Sequence, residues 1–360
     1  MANKKVAILP GDGIGPEVVK QAIKVIQSVN AEFGHSFDMQ VMDFGAISIE
    51  NHGLPLTETV LAECKASDAV LLGAIGDPKY DHDLQTTVRP EQGLLQLRKS
   101  LQLYSNLRPI KVYPSISNFS PLKNSLLDGV DILFVRELIG GIYFGKKTLS
   151  EDKKSASDLC SYTDDEIKRI ARIGFEEAFE RKKKLTLVDK ANVLETSRLW
   201  RRVVQEMSNE YPEINVDYMY VDNAAMQLML NPRQFDVIIT SNMFGDILSD
   251  LGSVLGGSIG LLPSASKGPN NALFEPIHGS YPQAKGLDKA NPLATILAAA
   301  MMYHYFGMFE ECNLIERFVA VAIEENILTE DLNNGKYLCS QVGDWVAKKI
   351  KESSISYNQI

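Results

Sequence analysis

The feature that most constrains this chain is an alternation. Short apolar runs rich in β-branched residues fall at 6–9, 39–44, 69–72, 131–135, 185–188, 216–221 and 237–240. Segments of helical period separate them, at 16–32, 57–66, 164–183, 196–209 and 314–325. Apolar runs without polar alternation predict strands buried on both faces. Strands that alternate with helices predict a largely parallel sheet covered by those helices, so the fold class is α/β. The first helix carries Pro16 early and Val18, Val19, Ala22, Ile23 and Ile26 along one face, and Thr57 is placed as an N-cap. A chain of 360 residues has room for about two domains. No repeat, low-complexity tract or Gly/Ser linker divides it, which predicts interleaved rather than sequential domains. Residues 353–360 read as a frayed tail.

Charge and apolar patterning exclude several function classes. Asp plus Glu number 46 against 37 Lys plus Arg, a net charge of −9 that repels a phosphate backbone. The one dense basic run, 181–184, reads as a helix end, so no nucleic-acid partner is expected. No apolar run approaches the ~18 residues of a membrane span; the nearest, 294–309, is broken by His304. The four cysteines are far apart and form no CxxC, as in a reducing compartment. The N-terminal residues run straight into a strand pattern with no signal-peptide core, so a cytoplasmic location is expected.

Four groups of residues carry chemistry. Gly11-Asp12-Gly13-Ile14-Gly15-Pro16-Glu17 lies between a strand and a helix, where a dinucleotide loop would lie. The third glycine comes one residue too early for the G-x-G-x-x-G fingerprint, so the loop is not Rossmann, and no Gly-Lys-Ser/Thr makes it a P-loop. A tight turn needing positive φ reads the same residues equally well. Asp246 and Asp250 stand four apart on a helix after a strand, with Ser241 or Asn242 as N-cap. Their Cβ atoms are then roughly 5–6 Å apart on one face. That suits a hard cation with oxygen ligands, as it also suits a solvated acidic face. Asp222, after another strand end, is a third carboxylate for the same purpose.

Arg98, Arg108 and Arg136 sit in apolar or turn-rich settings. Arg136 ends a strand reading Ile-Leu-Phe-Val and needs a partner for its charge. Several guanidinium forks facing one cavity fit a di- or tricarboxylic acid, while internal salt bridges account for each one singly. Lys190 follows a strand; near arginines and a metal a lysine loses proton affinity and can act as a base. Tyr143 lies in Gly140-Gly141-Ile142-Tyr143-Phe144-Gly145, a turn that brings a phenol close to a ligand. His278 is a loop histidine whose plain reading is a turn hydrogen bond.

Together these motifs resemble the β-decarboxylating dehydrogenases that act on 3-isopropylmalate or isocitrate, over nearly the whole chain. The resemblance rests on Leu9 to Glu17, Asn106-Leu-Arg-Pro109, Asp189-Lys-Ala-Asn192, Asn242-Met-Phe-Gly-Asp246 with Asp250, and Glu275-Pro-Ile-His-Gly-Ser280. Val135 to Gly145 and Glu91 to Arg98 resemble the isopropylmalate branch in particular. There Leu94 and Leu95 would line an apolar pocket for the isopropyl group. Isocitrate would leave a charge unsatisfied beside them, which costs far more than a missing methyl contact of ~1–3 kcal/mol.

The resemblance implies the isocitrate/isopropylmalate dehydrogenase-like fold: two α/β domains sharing a central mixed sheet, domain one from 1–100 and 252–360, domain two from 101–251. It implies NAD-dependent oxidative decarboxylation of 3-isopropylmalate to 4-methyl-2-oxopentanoate, the precursor of leucine. Isocitrate, D-malate and tartrate are the neighbouring substrates; a regulatory subunit without catalysis would be expected to lack residues that are present here. The expected partner is a second copy, with Lys190 and Asp222 reaching the partner's site. The expected cofactors are NAD and Mg²⁺ or Mn²⁺, the metal held by Asp246, Asp250 and the second subunit's Asp222. Arg98, Arg108 and Arg136 would hold carboxylates, Lys190 would act as base and Tyr143 would reprotonate the enol. NAD would lie against His278, Gly279, Ser280 and Asn291, with Glu91 near the nicotinamide ribose. Gln283 stands where NAD-using members usually carry an acid for the ribose 2′-hydroxyl; it can still hydrogen-bond that hydroxyl but does not repel a 2′-phosphate.

Overall fold

The structure, a computed structural model, describes residues 1–81, 87–332 and 335–357. The chain opens with β1 (Asn3–Gly11), β2 (Ser36–Val41) and β3 (Ala69–Ala74). It then forms β4 (Ser105–Lys111), β5 (Asp131–Glu137), a hairpin of β6 (Lys147–Leu149) and β7 (Ala156–Asp158), then β8 (Lys184–Asp189), β9 (Asn215–Tyr220) and β10 (Val237–Thr240). It ends with β11 (Pro263–Lys267), β12 (Ala272–Pro276) and helices. Two compact units result. One is Met1–Gln102, Tyr113–Ser120 and Gly256–Ile360; the other is Leu103–Val112 and Pro121–Leu255. Each is α/β with a mixed sheet.

In the first unit the strands run β2, β1, β3, β12, β11, parallel except for the antiparallel β11–β12 pair. Val6 to Leu9 on β1 and Val70 to Leu72 on β3 are buried, as strands covered on both faces require. The run at 294–309 resolves into a core helix, Leu293–Tyr305, packed on the Gly15–Phe33 helix and on β11 and β12. It is apolar on every side because every side is covered. The Cys339–Tyr357 helix lies on the Gly15–Phe33 helix, closest at Gly343, where an added Cβ would stand 2.5 Å from the Gln21 Cβ. The predicted frayed tail is therefore helical through Tyr357; residues 358–360 lie outside the described residues.

In the second unit the order is β4, β5, β10, β8, β9, all parallel except β4–β5. The helices Asp164–Glu180 and Glu195–Ser208 pack on each other and on β8. Thr163 and Glu166 cap the first reciprocally. That helix ends at Glu180, short of the predicted 183: Arg181 leaves it to pair with Asp131 and Asp236.

Five strands escape the sequence pattern: β4, the β6–β7 hairpin, β11 and β12. β4 reads Ser-Asn-Leu-Arg-Pro-Ile-Lys, and β11 and β12 each carry a proline. Polar residues and proline argue against a strand, and in β4 the polar ones face the site described below. β2 lies three residues earlier than expected, at Ser36–Val41. It is an edge strand that is mostly exposed, so the apolar residues after it mislead. No helix among the described residues is long and apolar enough to cross a membrane, and all four cysteines are free thiols, three of them buried.

Candidate active site

In the second unit, polar residues from three elements meet at one carboxylate. β5 carries Arg136 as its next-to-last residue, only 2 % exposed. Antiparallel β4 sets Asn106 opposite Arg136, and Arg108 two residues on projects from the same face as Asn106. The Asn242–Ser253 helix follows β10; Ser241 holds its N-cap position without a side-chain cap bond, and Asn242 turns inward instead. Arg136 Nε donates to the Asn242 carbonyl (2.9 Å), its Nη2 to Asn242 Oδ1 (2.7 Å) and its Nη1 to Asp246 Oδ1 (2.5 Å). Arg108 Nε donates to Asn106 Oδ1 (2.7 Å) and its Nη1 to Ser249 Oγ (2.7 Å), and it stands 3.3 Å from Asp246 and 3.4 Å from Asp250. The Tyr143 hydroxyl donates to Asp246 Oδ2 (3.1 Å). Gly245 lets Arg136 lie against the helix: a Cβ there would come within 2.6 Å of the arginine Cγ.

The electrostatics follow from burial. Desolvation, then the Asp246 charge, raises the Asp250 carboxyl above its usual range, opposed by Arg108. Burial and the same Asp246 raise the Tyr143 phenol, which stays protonated at neutral pH. Asp246 and Asp250 are hard oxygen donors on one helix face, the donor type that Mg²⁺ and Mn²⁺ take. Among the described residues no three His, Cys, Asp or Glu side chains are grouped to hold a metal. Asp222 is therefore not brought to the pair within one chain.

Asp222 lies instead in the first turn of the Val221–Leu230 helix, where Lys190 Nζ donates to its Oδ1 (2.7 Å) and lowers its pKa. Lys190 follows β8 on a fixed turn. Buried Asp189 accepts both arms of Arg201 (2.9 and 2.8 Å) and the Ala191 amide (3.0 Å), and the Lys190 amide donates to Ser197 Oγ (3.1 Å). Asp222, Met226 and Leu230 are spaced i, i+4, i+8, and the last two are 52 % and 59 % exposed. One helix face thus combines a carboxylate with bare apolar surface.

In the first unit the glycine loop acts through its backbone. Gly11 and Gly13 take positive φ, and a Cβ on Gly13 would sit 1.9 Å from the Ser280 carbonyl, to which the Ile14 amide donates (2.8 Å). The loop therefore clasps the 278–281 segment. Asp12 accepts the amides of Ala46 (2.7 Å) and Gly76 (2.9 Å), and burial pushes its carboxyl up to about 6. Beside the clasp lies a cavity of about 370 Å³, lined among others by Ile14, Ile259, His278, Gly279, Tyr281 and Asn291. His278 Nε2 is buried there without a hydrogen-bond partner, and burial lowers the ring's pKa, so it is neutral. Asn291 donates to Asp331 and caps the next helix by accepting the Leu293 amide. Ser280 is buried and Gln283 exposed. An apolar slot with one unsatisfied ring nitrogen fits a flat heteroaromatic group such as an adenine.

The Pro90–Ser100 helix places Glu91, Leu94, Leu95 and Arg98 at i, i+3, i+4 and i+7, on one face. Leu94 and Leu95 are half-buried. Arg98 donates to Glu275 (2.7 Å) while its Nε is buried without a partner. Sequence reasoning missed Asn242 as a side-chain clamp, along with Asn106, Ser249 and the buried Glu137 and Tyr162. Only Asn106 carried a local signal, two residues before Arg108 on the same strand face.

The isocitrate/isopropylmalate dehydrogenase family model matches residues 5–346. A 3-isopropylmalate dehydrogenase from Carboxydothermus hydrogenoformans is 51% identical over 354 residues, covering 96% of this chain and 94% of its own. One from Bacteroides fragilis is 49% identical over 352 residues, covering 97% and 99%. Among solved structures, an isocitrate dehydrogenase from Methylococcus capsulatus superposes with a TM-score of 0.87 at 33% identity, covering 97% of this chain and 99% of that one. The chain belongs to the isocitrate/isopropylmalate dehydrogenase family. It is an enzyme of the decarboxylating dehydrogenase class, acting on a small molecule.

Proposed function

We propose that this enzyme oxidises and decarboxylates 3-isopropylmalate to 4-methyl-2-oxopentanoate with NAD, as a homodimer with Mg²⁺ or Mn²⁺. The observation that carries the reading is the face of the Pro90–Ser100 helix. A cation, Arg98, stands one turn from an apolar pair, Leu94 and Leu95, with Glu91 one turn beyond. A substrate with a carboxylate next to a branched alkyl group matches that order, and a third carboxylate would meet the leucines. The names of the relatives at 49–51% identity agree with it.

Arg98, Arg108 and Arg136 would hold the malate carboxylates. Asp246 and Asp250, with Asp222 of the partner subunit, would hold the cation, which would polarise the C2 hydroxyl and stabilise developing oxyanion charge. His278, Gly279, Ser280, Asn291 and Glu91 would hold the dinucleotide, which would supply the hydride acceptor. Lys190 of the partner subunit takes the hydroxyl proton as C2 becomes a ketone. That ketone accepts the electron pair left at C3 when the β-carboxylate departs as carbon dioxide. Tyr143, kept protonated by burial and Asp246, would return a proton to C3.

The exposed apolar side chains support the dimer. Met226 and Leu230, each more than half exposed, lie on the same face of the Val221–Leu230 helix as Asp222. A partner covering the Met226–Leu230 face would bury Asp222 with it, and pairing is the ordinary use of such a patch. Neutral Gln283 suits the unphosphorylated ribose, whose 2′-hydroxyl it can hydrogen-bond. Initial rates on 3-isopropylmalate, isocitrate, D-malate and tartrate, each with NAD and with NADP, test the reading. Preference for another acid or for NADP would overturn the corresponding assignment.

A further inference from the structure

The proposed mechanism leaves one buried carboxylate unused. Glu137 is the residue after Arg136 at the end of β5, and it is fully buried. Its Oε1 accepts the Ile139 amide (3.0 Å) and its Oε2 the Gly140 amide (2.9 Å). The Tyr162 ring stands close by: a Cβ on Gly140 would meet both that ring, at 2.8 Å, and Glu137 Oε2, at 2.9 Å. The charged partner is Arg169, at 3.8 Å and 35 % exposed, too long for a hydrogen bond. A carboxylate taken wholly out of water and given only two backbone amides is costly to keep, and burial raises its pKa to about 7.

What those bonds hold is the turn that carries Tyr143. Tyr162 lies directly under it: a Cβ on Gly140 would stand 2.8 Å from the Tyr162 ring, and one on Gly141, at φ +70, 2.2 Å from its hydroxyl. Only glycine at both positions lets the backbone close on the ring. The same Tyr162 oxygen accepts the Asn242 amide (3.0 Å), and Asn242 Nδ2 donates to the Gly140 carbonyl (3.3 Å). Asn242 Oδ1 holds Arg136, Arg136 holds Asp246, and Asp246 holds the Tyr143 hydroxyl. The contacts form a closed ring, from Glu137 through Gly140, Asn242, Arg136 and Asp246 to Tyr143, and back through the turn.

We propose that Glu137 is a positioning residue: with Tyr162 beneath the turn, its carboxylate fixes residues 139–143 so that the Tyr143 hydroxyl meets Asp246. Gln at 137 keeps the volume but turns an amide N–H₂ toward a backbone N–H, so one of the two amide bonds is lost. The inference rests on the reading of Tyr143 as proton donor, and the experiment separates the two.

Glu137→Gln and Tyr162→Phe are compared with the intact enzyme, each also in a Tyr143→Phe background. The expected result is a kcat lower by on the order of tenfold to a hundredfold, as for a misplaced catalytic group. KM for 3-isopropylmalate should stay within about twofold, because Arg136 keeps its own partners. In the Tyr143→Phe background the same substitutions should cost little more, since they act through that hydroxyl. Amide hydrogen exchange over 139–145, which needs no substrate, should speed up in both variants. Equal losses of kcat with and without Tyr143, or exchange that does not change, would overturn the positioning role. Should Tyr143→Phe alone leave turnover intact, the proton-donor reading fails, and the exchange measurement still decides whether Glu137 holds the turn.

Discussion

Replacing Arg136 by lysine separates charge from geometry at the polar centre. Lysine keeps the positive charge and can still reach Asp246. It cannot also serve the Asn242 carbonyl and Asn242 Oδ1, which now receive hydrogen bonds from Nε and Nη2. Asn242 is 1 % exposed, so water does not replace them. Two buried acceptors left short at ~1–3 kcal/mol each put the loss of stability at about 2–6 kcal/mol. The assay is urea denaturation followed by fluorescence, with the second unit's transition moving to lower urea. The same substitution removes the fork that grips a carboxylate, so KM for 3-isopropylmalate should rise by about tenfold or more, a charged hydrogen bond being worth ~1.5–3 kcal/mol. A variant within about 0.5 kcal/mol of the parent, the range of a neutral surface change, would refute the reasoning. It would mean that charge alone, not the fork, matters at this position.

Other outcomes follow from the same geometry. Asp12 keeps its proton in the folded enzyme up to about pH 6, whereas unfolded it loses it near its ordinary 3.8. The folded state binds more protons in that window, so this group lowers stability as pH rises from 3.8 to 6, by about 3 kcal/mol at most. Stability measured against pH should lose that part of its slope in Asp12→Asn; an unchanged slope would contradict the burial argument. Lys190→Ala should lower kcat by ~10²–10⁴ with substrate and Mn²⁺ saturating, as for loss of a general base, and turnover near that of the parent would remove Lys190 from the mechanism. Leu94→Ala with Leu95→Ala should lower kcat/KM for 3-isopropylmalate by about 10–200-fold per methylene-scale contact, measured against D-malate, which lacks the branch. An equal loss on both substrates would refute the pocket assignment.

The parts of this molecule that were legible in sequence are the local ones. Asp246 and Asp250 declare themselves because a four-residue spacing alone puts them on one helix face. Arg136 does so because a charge ending an apolar strand calls for a partner. β1, β3, β5, β8 and β10 are legible because buried parallel strands are apolar throughout. What was not legible depends on residues far apart in the chain. Asn242 shows only as a cap candidate, and its bond to Arg136 spans 106 positions. Glu137 looks like a surface acid until β5 buries it, and Tyr162 gains meaning only under Gly140 and Gly141. β4 was hidden by the Asn106 and Arg108 that make it useful. The glycine loop was read as a turn or a ligand loop; its backbone clasp on Ser280, some 270 residues away, has no sequence signature.

The most direct test of the account is NAD reduction, followed by absorbance, with 3-isopropylmalate and Mn²⁺ before and after EDTA. The account predicts NADH formation with matching release of carbon dioxide, abolished by EDTA and restored by excess Mn²⁺. No NADH from 3-isopropylmalate, or a rate indifferent to EDTA, would contradict it.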